Sequence, residues 1–223
     1  MKRLFVLCWV VVLSAVAGHA QRVNFGLSAG DAGITLTNLG TENGVLDFNA
    51  VKNPIFTGSS IVTISLQQNS PFVVPILIEA AEHLDVTVEV ITPPNGLELV
   101  GHTGNGPVPT LPFQLGWAYW NQSQPLAVID PFAIQVMGNA REVQPAVGAQ
   151  LGFSSATFPM RRRADGSTPP PPPPTPAYGG MPTPTKASAI VYLYGSLGPV
   201  PQNASSGMYS GQIQILVSYA SYE

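Results

Sequence analysis

From position 21 onward the chain alternates apolar and polar residues in short runs, and glycine, proline or asparagine close almost every run. Val23, Phe25 and Leu27 alternate with polar or small neighbours. Ile34 and Leu36 repeat the pattern after the tract Asp31 to Gly33, and Val45 to Phe48 follow as another short strand candidate. Successive side chains of a strand point to opposite faces, so a period of two predicts strands with one buried face. Ile61 to Leu66 is β-branched on both parities, and Val86, Val88 and Val90 alternate with Asp85, Thr87 and Glu89 before the turn Pro93 to Gly96. Phe72 to Ala80 is apolar on both parities, which suits a strand buried on both faces of a sandwich or a strand that changes sheets. Pro75 lies inside it and cannot donate to a ladder, so a bulge or a change of sheet is expected there.

Further strands are predicted over Leu97 to Val100, Leu111 to Trp120, Ala127 to Ile129, Phe132 to Met137, Leu151 to Phe158, Ala189 to Tyr194 and Gln212 to Tyr219. About a dozen short strands at intervals of roughly 8 to 15 residues, with no amphipathic helix between them, predict an all-β sandwich or barrel. Composition agrees: 22 glycines and 23 prolines leave little room for long helices, and 45% apolar content is too high for general disorder. A formal net charge of −3 argues against a nucleic-acid surface. Arg161 to Lys186 stands apart, with three arginines and then nine of the prolines, six of them consecutive. Consecutive prolines form an extended helix without internal hydrogen bonds, so this stretch reads as an exposed loop inserted between core strands. A domain boundary is the competing reading, but the residues after Lys186 are few for an independent β-domain.

The first twenty residues have the layout of a secretory signal peptide: Lys2 and Arg3, an apolar run from Leu4 to Val12, then small residues ending at Ala20. An uncleaved anchor is the alternative, although the apolar run is short for a span. Cleavage after Ala20 removes Cys8, the one cysteine, and leaves His83 and His102 as the histidines. Such a chain has no disulfide, no cysteine nucleophile and no Cys/His zinc site. The expected organisation is a signal peptide over 1–20, an N-terminal extension over 21–44, and a sandwich over 45–223 carrying the 161–186 loop.

The C-terminal run Gly207-Met208-Tyr209-Ser210-Gly211-Gln212-Ile213-Gln214-Ile215-Leu216-Val217-Ser218-Tyr219 joins a glycine turn to an alternating strand that ends in tyrosine. With Ala189 to Gly195 and Leu111 to Leu115, it resembles the ending of bacterial pilin-type immunoglobulin-like domains: chaperone/usher pilins, spore coat U proteins and related secreted domains of unassigned function. The resemblance implies an immunoglobulin-like sandwich completed by strand addition at an open edge. Val23, Phe25 and Leu27, or Ile34 and Leu36, would be the inserting residues of a donor strand. Gly207, Tyr209, Ile213, Ile215, Val217 and Tyr219 would mark the acceptor edge. Implied partners are copies of itself, sibling subunits and a periplasmic assembly chaperone, in the periplasm, at the cell surface or outside a bacterial cell. Two departures stand against the resemblance: the chain continues past Tyr219 to Glu223, and it lacks the disulfide that many pilins possess.

No nucleophile elbow or phosphate loop occurs. Glu79, Glu82, His83 and Asp85 cluster where one strand is expected to end and the next to begin, which reads as a solvated turn. His102 sits in a glycine-rich loop without a fixed partner. No catalytic residue, metal site, cofactor or membrane span after signal cleavage is therefore expected. Trp117, Tyr119 and Trp120, beside Asn121 and Gln122, are the remaining candidate chemistry. Aromatic faces next to amides stack on sugars, so a secreted carbohydrate-binding module is the alternative function.

Overall fold

A computed structural model describes residues 21–40, 44–51, 62–121, 130–144, 152–160 and 186–220. The signal-peptide stretch, the Ala127 to Ile129 strand and residues 161–185 of the arginine- and proline-rich segment lie outside the described residues. The described chain is an all-β sandwich of two sheets.

The first sheet contains β1 (Gln21–Ala29), β3 (Leu46–Asp47), β6 (Asp85–Ile91), β7 (Leu97–Leu99), β8 (Thr110–Leu111), β11 (Phe153–Pro159) and β13 (Tyr209–Tyr219). Its main path runs β11-β6-β13-β1-β3, with β7 bridging β13 and β8. The second contains β2 (Thr35–Asn38), β4 (Val62–Leu66), β5 (Val74–Ala81), β9 (Phe113–Trp120), β10 (Arg141–Glu142) and β12 (Lys186–Val200). Its order is β10-β9-β12-β5-β2, with β4 also against β12. The stretch that the sequence sets apart as an extension thus supplies one strand to each sheet.

Alternation fixes which side chains meet between the sheets. Val86, Val88 and Val90 of β6 and Ile213, Ile215 and Val217 of β13 are all buried, and they lie in one core cluster with Ile76 and Ile78 of β5 and Leu193 of β12. Trp117 donates its Nε1 hydrogen across the gap to Ser154 Oγ at 2.7 Å, and Phe48 meets Phe113 edge-on with centroids 5.9 Å apart. Pro93 to Gly96 form the expected turn. Gly96 has φ +83°, and a Cβ there would lie 2.1 Å from the Leu111 carbonyl oxygen, so glycine is required.

Three expectations are corrected. Pro75 causes no register shift: it pairs with Tyr192, and its carbonyl accepts from Leu39 N, so its missing N–H falls at the end of β2 where that ladder stops. The change of sheet occurs instead at Pro112, between β8 and β9, and the register shift lies in β12 between Leu197 and Val200. Phe132 to Met137 is no strand, because residues Ile134–Gly138 form the short helix α2. Asp130 starts its turn by accepting from Phe132 N through its side chain and from Ala133 N through its carbonyl. Gln68 then anchors the other end by donating to the Met137 and Ala140 carbonyls, and Met137 is buried against the sandwich. Val45 to Phe48, expected as a strand, is divided between β3 and a second short helix, α1 (Phe48–Val51).

Candidate functional site

The residues singled out at the two ends of the chain come together in one seam. β13 has β6 and β7 on one side, and on the other it pairs in parallel with β1 along nine residues, from Gln21 opposite Tyr209 to Ala29 opposite Val217. Phe25 lies opposite Ile213 and Leu27 opposite Ile215, so the apolar residues of both strands share the inward face. Val23 is fully buried, while Phe25 and Leu27 are partly buried against the core. Ile213, Ile215 and Val217 are buried, and so is Tyr209, whose hydroxyl donates to the Ser205 carbonyl. Burial pushes the Tyr209 pKa up, against the opposing pull of Ser205. The alternative inserting pair is elsewhere: Ile34 precedes β2 and is buried, and Leu36 lies in β2 opposite Ile78 of β5.

Among the described residues, β1 is paired on its outer side only at Arg22 and Val23, with Asp47 and Leu46 of β3. Backbone from Asn24 to Ala29 is therefore an edge. Gln21 fixes the start of the strand by donating to the Gly207 carbonyl.

At the far end a corner carries the chain from the first sheet to the second. Gly30 N donates to the Val217 carbonyl at 2.8 Å, and Asp31 Oδ2 accepts from Tyr219 N at 2.6 Å. Tyr219 reaches across the sandwich, where its hydroxyl accepts from Ala81 N of β5 at 3.1 Å. Gly33 makes the turn at φ +92°. In sequence Asp31 reads only as a turn residue. Its role as acceptor for the last strand is not legible there, because its partner is 188 positions away.

Protein-family models and curated proteins yield no match to this chain. The seam must therefore be interpreted from its own geometry.

The aromatic candidates occupy a different place from the one the sugar-binding alternative needs. Trp117 and Trp120 are 1% and 5% exposed, and Tyr119 stacks on Phe158 with centroids 4.2 Å apart and planes 5° from parallel. Their faces are used in packing, so the cluster is a core feature and offers a sugar ring no platform. Among the described residues no group of three or more His, Cys, Asp or Glu is arranged to hold a metal ion, and no helix is long and apolar enough to cross a membrane.

Proposed function

We propose that the chain is an exported structural or adhesion subunit, an immunoglobulin-like sandwich of pilin type, whose copies join by exchanging β1. The observation that carries this reading is the parallel β1–β13 ladder. Cleavage after Ala20 would make Gln21 the first residue, so the strand completing the first sheet would be a free terminal segment. It is tied to the rest through the corner at Gly30 to Gly33. A neighbour's β1 entering the same slot would remake the same backbone bonds and bury the same Val23, and only the corner would have to open. Exchange of an identical element adds no new interface to evolve. Phe25 and Leu27 supply the side-chain fit, and the edge at Asn24 to Ala29 offers further strand addition. Partners on this reading are copies or sibling subunits, delivered by a periplasmic chaperone to the cell surface or the medium.

The test compares mature protein with a chain lacking residues 21–40. Mature protein refolded at high concentration should form filaments or ladders of oligomers that resist mild denaturant, seen by electron microscopy and size exclusion. The truncated chain should fold only when a peptide spanning residues 21–40 is added. Stable monomers from both chains would overturn the proposal, as would a mature chain that remains monomeric throughout.

A further inference from the structure

An asparagine side chain can cyclise onto the next peptide nitrogen, and the fold controls whether it does: water must reach the amide, and the nitrogen must be free to turn toward it. A following glycine favours the reaction most, because it has no side chain to obstruct the ring and its backbone turns freely. Among the described residues this dipeptide occurs twice, at Asn95-Gly96 and Asn105-Gly106, and Asn69-Ser70 is the nearest in kind. All three asparagines are exposed, so access of water does not separate them.

The attacking nitrogen does separate them. Gly96 N donates to the Pro93 carbonyl at 3.3 Å, and buried Gly96 is held at φ +83° against the Leu111 carbonyl oxygen. Ser70 N donates to the Gln67 carbonyl at 2.9 Å. Each of these turns would have to open before its nitrogen could react. Asn105-Gly106 lies in the connection between β7 and β8, where residues 103–108 are all exposed. The base of this loop is fixed: Leu99 N donates to the Pro109 carbonyl at 3.0 Å, and the His102 ring lies over Gly104, where a Cβ would come within 2.9 Å of it. Its tip is not. A Cβ at Gly106 would meet no atom within 4 Å, and among the described residues no hydrogen bond engages Gly106 N.

We infer that Asn105 is a site of spontaneous deamidation, with water as the co-reactant. Gly106 N gives up its proton and attacks Asn105 Cγ, so a C–N bond forms, the Cγ–Nδ2 bond breaks and ammonia leaves. Water then opens the cyclic imide at either carbonyl, giving aspartate or isoaspartate without any oxidation or reduction. The product gains a negative charge, and isoaspartate adds a methylene to the main chain. The loop can absorb both changes, because neither Asn105 nor Gly106 pairs in a sheet. The seam between β1 and β13 takes no part, so the inference does not depend on strand exchange.

Purified protein would be aged in mildly alkaline buffer, digested, and each asparagine peptide followed by mass spectrometry. The Asn105 peptide should gain about 1 Da and split into aspartate and isoaspartate forms, at least about tenfold faster than the Asn95 and Asn69 peptides, whose nitrogens must first lose a hydrogen bond. The rate should climb with pH, since the attacking nitrogen must be deprotonated. In guanidinium the Asn95 peptide should catch up with the Asn105 peptide. Gly106→Ala has open space for its methyl group, so it should leave the melting temperature unchanged and slow the reaction severalfold. An Asn105 peptide that stays intact, or an Asn95 peptide reacting as fast in the folded protein, would overturn the assignment. So would a Gly106→Ala protein reacting at the parent rate, or an Asn95 peptide that remains slow in denaturant.

Discussion

The two longest strands, β12 and β13, each run through the middle of a sheet, but they are held in place differently. β12 lies between β9 on one side and β5 and β4 on the other, all internal segments that cannot leave without cutting the chain. From Ala189 to Tyr194 it is buried without interruption, because the inner face meets the sandwich core and the outer face is covered as well. Tyr192 on that outer face donates its hydroxyl to the Pro131 carbonyl at 2.8 Å, beside α2. β13 alternates buried and open positions, and one of its neighbours is β1, the first strand among the described residues. One is held on both sides by strands from the interior of the described chain, and on the proposed reading the other has a neighbour that could be exchanged.

The largest effect that could sharpen this contrast is a pair of truncations in the same core. Leu193 in β12 is fully buried among internal strands, and Leu193→Ala should destabilise the protein by about 2–5 kcal/mol, read from urea unfolding. Val23 in β1 is equally buried, but Val23→Ala removes less and should cost about 2 kcal/mol. The diagnostic difference is in hydrogen exchange. Leu193→Ala should accelerate exchange in every protected strand, whereas Val23→Ala should act first on amides of β1 and its contacts with β13. A Val23→Ala protein that loosens β5 and β9 as much as β1 would break the contrast.

This asymmetry is half visible in the amino-acid order. The strands themselves are legible, because Val86-Val88-Val90 and Ile213-Ile215-Val217 alternate cleanly and a period of two places every second side chain on one buried face. Their pairing is not, since a parallel neighbour 188 positions away leaves no local mark. The pilin resemblance puts the two ends of the chain forward as donor and acceptor, and the structure pairs those same strands within one chain. Phe132 to Met137 misleads because a six-residue run with five apolar positions fits a strand or a helix turn equally well. The deciding contacts come from Gln68 and Asp130, outside the run. Trp117 and Trp120 mislead because alternation predicts one inner and one outer face, and it does not predict that the outer face is also covered. The packing of the Tyr194 ring on β9 depends on Gly116 across the strand pair, and a glycine at that position leaves no periodic signal.

Alkaline pH should act on the β12 sheet ahead of the β13 sheet. Burial, reinforced by the charge of Asp130 for Tyr192 and of Glu142 for Tyr194, raises both β12 tyrosines well above the usual value of 10.0. The unfolded chain releases those protons from about pH 10, while the folded chain still holds them, so the stabilisation is complete below pH 10 and is lost as pH rises beyond it. Urea midpoints measured from neutral pH upward should be flat and then fall above about pH 10. Tyr192→Phe should reduce the fall more than Tyr209→Phe, because Ser205 partly offsets the shift at Tyr209 on the seam. Equal effects from the two substitutions would remove this distinction between the sheets.

The smallest expected effect concerns the one ion pair described at the seam, Arg22 Nε to Asp47 Oδ2 at 3.2 Å. The Arg22 side chain is 48% exposed, so water competes for the contact, and Arg22→Ala should cost no more than about 1 kcal/mol. Raising salt should erase most of what remains. Asp47→Ala should cost about 1 kcal/mol more, since Asp47 Oδ1 also accepts from Asn49 N at the start of α1. A small Arg22 effect means that β1 is held by its ladder and by Val23, Phe25 and Leu27, so any exchange between copies should proceed equally at low and high salt. If Arg22→Ala instead cost several times more and salt released β1, charge would control the departing strand. The seam would then be set apart from β12 by electrostatics, with the pairing of β1 and β13 a secondary cause.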